Sequence, residues 1–111
     1  MRTTVTSRHF KAHDTLLEYA ERAAEKLERF YDGIVKCEMI LKFEKTRNSD
    51  KIAEVIVSVY GAKLTAKAHS DDFFQSVDSA IKKVLVQLKK YKAKLRAKDR
   101  ITVRRVRAKA V

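Results

Sequence analysis

The sequence predicts a single α+β domain of order β-α-β-β-β-α, in which a four-stranded sheet has two helices packed on one face. Three observations predict it: an apolar stripe at helical spacing over residues 14–31, three stretches between Val35 and His69 that alternate apolar and polar residues, and a second helical stripe opening at Phe74. A chain of 111 residues holds one core and is too short for two. With 45% apolar and 36% charged residues, the composition is that of a globular domain rather than a disordered chain.

Thr3 to Arg8, rich in Thr and Val, reads as a short first strand with Val5 directed inward. Asp14 to Tyr31 reads as a helix because Leu16, Ala20, Ala23, Ala24, Leu27, Phe30 and Tyr31 recur on one face, and Gly33 stops it. In the next strand Val35, Cys37, Met39, Leu41 and Phe43 point one way, and Lys36, Glu38, Ile40, Lys42 and Glu44 the other. The polar segment from Lys45 to Asp50 reads as a loop. Ala53, Val55, Val57 and Val59 then form the inward face of a third strand, and Tyr60-Gly61-Ala62 turns the chain into a fourth with Leu64, Ala66 and Ala68 inward. Such short connections make these three strands an antiparallel meander. The uncovered face of the sheet is expected to carry Lys36, Lys42, Lys63 and Lys67, with Ile40, Ile56 and Tyr60 as exposed apolar positions.

Ser70-Asp71-Asp72 supplies an N-cap and negative charge at the start of the closing helix. Its stripe of Phe74, Val77, Ile81, Val84, Leu88, Tyr91 and Leu95 alternates steps of three and four residues. The stripe supports a helix to about Lys98. Residues 1–98 are therefore the expected domain, and residues 99–111 a basic tail without structure of its own.

Charge placement narrows the function. Up to Ile81, thirteen Lys and Arg balance thirteen Asp and Glu; from Lys82 onward, thirteen Lys and Arg stand against Asp99 alone, so the whole net charge of +12 lies in the last thirty residues. A surface built only for solubility mixes both signs, whereas one-signed charge on one segment is a footprint for a polyanion. On a helical wheel Lys83, Gln87, Lys90 and Lys94 share a narrow band, with Lys82 and Lys89 on the adjoining flank, away from the apolar stripe. Arg22, Lys26 and Arg29 share one face of the first helix. Lysines stacked turn upon turn repel one another, and a phosphate backbone that bridges them removes the repulsion. The expected ligand is RNA, gripped through its phosphates without sequence reading, and no DNA specificity is expected.

Other classes find less support. No apolar run reaches the ~20 residues of a membrane span, and the first residues lack the apolar region of a signal peptide, so a cytoplasmic protein is expected. Cys37, the single cysteine, lies on the apolar side of a strand and reads as a small buried hydrophobe rather than a catalytic thiol. His9, His13 and His69 lack ligand-like spacing with one another or with Cys37, so no metal site is expected. Phosphate-binding glycine loops and nucleophile elbows are absent. The expectation is a non-catalytic binding protein with no cofactor, monomeric when free. A double-stranded RNA-binding domain is a second reading, but that family places its lysines at the start of the last helix, where this chain has Asp71-Asp72. An amphipathic helix for an anionic membrane or an acidic protein is a third, and it needs an apolar stripe that the core already uses.

The same helix carries a family pattern. Asp71-Asp72-Phe73-Phe74-Gln75-Ser76-Val77-Asp78, then Lys83, then Gln87-Leu88-Lys89-Lys90-Tyr91-Lys92-Ala93-Lys94-Leu95 resembles the ribosome hibernation-promoting factors. Glu25-Lys26-Leu27-Glu28-Arg29-Phe30-Tyr31 and Leu64-Thr65-Ala66-Lys67-Ala68 also fit, so the likeness covers Met1 to about Arg96. The resemblance implies a domain that binds the small ribosomal subunit and its ribosomal RNA in the channel between head and body. There it overlaps the messenger and transfer RNA sites and silences translation during starvation or stationary phase, in the bacterial cytoplasm. Carried over position by position, Lys83, Gln87, Lys90, Lys92 and Lys94 match positions that face ribosomal RNA in the family. Val86 stands where the family pattern has Arg, and the basic end of the chain differs from the acidic tail of members that block ribosome dimers.

Overall fold

Val, Ile and Thr crowd the three alternating stretches and Ala, Leu, Glu, Lys and Arg the two helical ones, so local preference and apolar period agree along the chain. A computed structural model describes residues 1–45 and 50–110, with backbone alone for residues 98–110. Residues 46–49, inside the expected polar loop, and Val111 lie outside the described residues. The element order is β1 (Arg2–Arg8), α1 (Asp14–Phe30), β2 (Ile34–Glu44), β3 (Asp50–Val59), β4 (Ala62–Ser70) and α2 (Phe73–Ala110). The strands form one sheet in the order β1-β2-β3-β4. β1 runs parallel to β2, with Arg2 opposite Lys36 and Arg8 opposite Lys42, and α1 is the crossover that a parallel pair requires. The other two pairings are antiparallel, as the short connections predict.

Both helices cover one face. Leu27 of α1, Met39 and Leu41 of β2, Val55 and Val57 of β3, and Val77, Val84 and Leu88 of α2 are fully buried and form a continuous core. Two glycines hold the ends of this arrangement. Gly61 turns β3 into β4 at φ 77°, a conformation that side chains resist, and the Tyr31 ring lies so close over Gly33 that a Cβ there would stand 2.5 Å from it.

Three details depart from the pattern reading. The β2–β3 register shifts between Ile34 and Lys36, so Ile34 takes the core position and Val35, expected inward, is 66% exposed. Phe73 rather than Phe74 enters the core, stacked on Phe10 at 4.5 Å, while Phe74 packs edge-on against Tyr19. The cap sets this rotation: Asp72 Oδ1 accepts the Phe74 N–H at 2.9 Å, which fixes the first turn and the face that follows from it. Finally, α2 extends to Ala110, beyond the end near Lys98 that the stripe predicted. Residues 99–110 contain no Gly or Pro, and nothing in them interrupts a helix once it has started.

Ser76 is the one buried polar side chain of the described core, and its hydroxyl donates to the Lys51 carbonyl at 2.6 Å and lies 2.7 Å from the Ser70 hydroxyl. It pins the first turn of α2 to β3. Ser76→Ala strands the carbonyl, and urea denaturation should show a loss of about 1–3 kcal/mol with an unchanged m-value. Burial pushes the Cys37 thiol up to about 11, with Glu38 adding a smaller push, so the nucleophilic thiolate is scarce in the folded chain. Thiol reagents at neutral pH should label Cys37 only as fast as the chain unfolds; rapid labelling of the folded protein would contradict that burial.

Candidate nucleic-acid interface

α1 and α2 lie side by side and run in the same direction. Near both N-termini the Tyr19 hydroxyl donates to Asp78 at 2.6 Å and its ring meets Phe74 at 5.0 Å. Further along, Phe30 lies beneath Lys92, and Tyr31 meets Tyr91 at 5.9 Å. The Asp78 carboxylate holds the Tyr19 hydroxyl above its ordinary pKa, which keeps this bond's proton on the tyrosine. A groove therefore separates two parallel helices, and the flanks facing it are set by the residues that each helix buries.

The ten residues picked out by sequence divide between two flanks of α2 and one of α1. Lys83, Gln87, Lys90 and Lys94 lie on the flank of α2 that overhangs β4. Lys83 Nζ donates to the Lys67 carbonyl at 3.0 Å, and Gln87 Nε2 donates to the Thr65 carbonyl at 2.6 Å. One turn further, the Tyr91 hydroxyl donates to the Tyr60 carbonyl at 2.7 Å. These carbonyls belong to the outer strand of the sheet and the turn that leads into it. Lys90 and Lys94 are exposed.

On the groove side, Lys82 and Lys89 are exposed, and Lys92 is drawn inward. Lys92 Nζ donates to the Phe30 carbonyl at 3.3 Å and sits 4.8 Å from the centre of the Phe30 ring. It thereby satisfies one of the last carbonyls of α1 and offsets the negative end of that helix's dipole. Across the groove, Arg22 lines a cleft with Tyr19 and Phe74, and Lys26 and Arg29 continue its flank, all three exposed. The structure thus unites the α1 trio with Lys82, Lys89 and Lys92, and sets Lys83, Gln87, Lys90 and Lys94 on the other side of α2.

Electrostatic pairing distinguishes Lys36 and Lys42 of the sheet face from the helical cations. Among the described residues the ion pairs are the N-terminus with Glu28, Lys36 with Glu38, and Lys42 with Glu44. On the open sheet face Lys36 holds the Glu38 carboxyl below the usual carboxylate range, and Lys42 does the same for Glu44. Among the described residues none of the nine cations in the candidate set has a carboxylate partner. Sequence reasoning passed over Arg96 and Phe30, which line the end of the groove with Lys89 and Lys92. The available signal was spacing, since Lys89, Lys92 and Arg96 are three and four residues apart on one face. Val86, 52% exposed, sits at the crest between the two flanks, one turn from Lys82, Lys83, Lys89 and Lys90. Among the described residues no group of three or more His, Cys, Asp or Glu could hold a metal, and no helix is long and apolar enough to cross a membrane.

Known proteins match this chain in sequence and in shape. The "Ribosome hibernation promoting factor" of Escherichia coli strain K12 is 28% identical over 96 residues, covering 86% of this chain and 98% of that protein. The structure of a "ribosomal subunit interface protein" from Coxiella burnetii superposes with a TM-score of 0.76 at 29% identity, over 84% of this chain and 99% of the other. The N-terminal domain of Thermus thermophilus Protein Y shares the fold at a TM-score of 0.72 and 21% identity, over 82% and 99% of the two chains. A family model described as "Sigma 54 modulation protein / S30EA ribosomal protein" matches residues 3–96, and with the fold and the basic helical face in place the chain belongs to that family.

Proposed function

We propose that this chain is a ribosome hibernation factor: it binds the small ribosomal subunit in the messenger and transfer RNA channel and silences translation under stress or in stationary phase. The observation that carries the reading is the contrast in pairing. Lys36 and Lys42 on the sheet face are each paired with a neighbouring glutamate, while the lysines and arginines of the helical face have no carboxylate partner among the described residues. Unpaired cations in rows along two helices repel each other in the free protein, and binding to a phosphate backbone both relieves that repulsion and releases counterions. Such contacts fix position and orientation without reading bases, which suits a ligand recognised by shape. The names of the Escherichia coli and Coxiella burnetii relatives point to the same partner. The apolar stripe of α2 is spent on the core, which disfavours a membrane-surface role. The protein acts as a monomer in the bacterial cytoplasm, without catalysis and without a cofactor.

Sucrose-gradient sedimentation with purified small subunits tests the proposal. The wild-type chain should travel with the subunit at low salt, and its log affinity should fall against log salt by about 0.7–0.9 for each phosphate neutralised. A flat salt response would remove the mechanism. The triple reversal Lys89→Glu, Lys90→Glu, Lys94→Glu should release the chain while stability changes by no more than about 0.5 kcal/mol per exposed site. Continued co-sedimentation of the folded triple variant would place the interface elsewhere. Val86→Arg adds a guanidinium amid four lysines, so it should tighten binding and steepen the salt dependence by about one phosphate's worth; an unchanged slope would mean that the crest of α2 does not meet RNA.

A further inference from the structure

We infer that a single strand of RNA backbone lies along the α1–α2 groove and ends in a pocket at Phe30, Lys89, Lys92 and Arg96, while Lys83 and Gln87 are struts that brace α2 against β4 in the rotation its buried face dictates. The identity of that RNA as ribosomal rests on the proposed function; the division of labour rests on the geometry alone.

The pocket has a cavity volume of about 490 Å³ and is lined by Phe30, Lys89, Lys92, Ala93, Arg96 and Ala97. It exists because Ala93 and Ala97, one turn apart, leave a low wall on α2 beside two long basic side chains. Lys92 occupies one face of the Phe30 ring and the carbonyl behind it, which removes that face from base stacking but leaves two ammonium protons directed away. Lys89 and Arg96 are exposed and have no carboxylate partner among the described residues. Three cations converge on a space of nucleotide size with a short apolar floor, which suits a phosphodiester and its ribose rather than a stacked base. Arg96 can grip the phosphate oxygens with two parallel N–H bonds. Upstream, Lys82 on one helix and Lys26 and Arg22 on the other give the strand a path of alternating cations.

The other flank behaves differently. Lys83, Gln87 and Tyr91 follow one another at four-residue intervals, and each donates to a main-chain carbonyl on or beside β4. β4 is an outer strand, and an uncovered outer strand exposes acceptors that another chain could pair with. The two struts therefore hold α2 at the rotation that turns Lys82, Lys89 and Arg96 toward the groove. They act on RNA binding through position, not contact.

The test measures fluorescence anisotropy with labelled oligouridylate and co-sedimentation with small subunits, from about 50 to about 200 mM salt. Ala93→Leu fills the pocket without changing the charge or the helix preference, and it should weaken oligouridylate binding about tenfold. Arg96→Ala should lower the salt slope by about 0.7, one single-strand phosphate contact. The double variant Lys83→Ala, Gln87→Ala should melt at a lower temperature than wild type and keep the wild-type salt slope. Wild-type affinity in Ala93→Leu, or an unchanged slope in Arg96→Ala, would overturn the pocket. A slope reduced in the double variant without a change in melting would overturn the struts. If oligouridylate responds as expected and small subunits do not bind, the groove stands and the ribosomal assignment falls; if wild type binds neither, both fall.

Discussion

Val77, Ile81, Val84 and Leu88 seat α2 on the sheet, and the direction of every charged side chain on that helix follows from their burial. An α-helix turns 100° per residue, so fixing four apolar positions fixes all the others. Hydrogen bonds sharpen the fit at both ends. Ser76 ties the first turn to the Lys51 carbonyl, and Lys83, Gln87 and Tyr91 tie the following turns to the outer strand and its turn. Hydrophobic burial supplies most of the energy because it scales with the area removed from water, while each exposed hydrogen bond adds about 0.5–1.5 kcal/mol and contributes mainly orientation.

The architecture was legible because its signals are periodic. Val55, Val57 and Val59 alternate as a half-buried strand must, and Leu16, Ala20, Ala23, Ala24 and Leu27 fall on one helical face; all are buried as read. The misreadings lie where a contact distant in sequence outweighs the local pattern. Val35 continues the alternation of β2, yet a register shift against β3 turns it to solvent, and no residue in the strand announces that shift. Phe73 and Phe74 look equivalent in sequence, and the Asp72 cap together with the ring of Phe10 decides between them.

The basic faces of the two helices were legible as a set of residues and not as a geometry. A wheel drawn on α2 alone grouped Lys83 and Gln87 with Lys90 and Lys94, because it has no knowledge of what lies beside the helix. The edge of β4 does lie there, with carbonyls to be satisfied, and it takes the two polar groups within reach. A wheel equally lacks α1, so the groove and the part played by Phe30 emerge only when the two helices are set next to each other. The lack of carboxylate partners for these cations among the described residues is a tertiary property in the same sense, since it depends on where the glutamates of α1 are held.

The common direction of the two helices gives the molecule an electrical polarity. Asp14, Glu18, Asp72 and Asp78 gather near the paired N-termini, whereas the cations of α2 begin at Lys82 and continue through Arg96. A domain charged in this graded way is turned by the field of a polyanion before the two touch, because attraction acts on one end and repulsion on the other. The general rule is that such a domain meets a polyanion basic end foremost. Ionic strength governs how far out such an alignment begins, about 10 Å at 0.1 M salt.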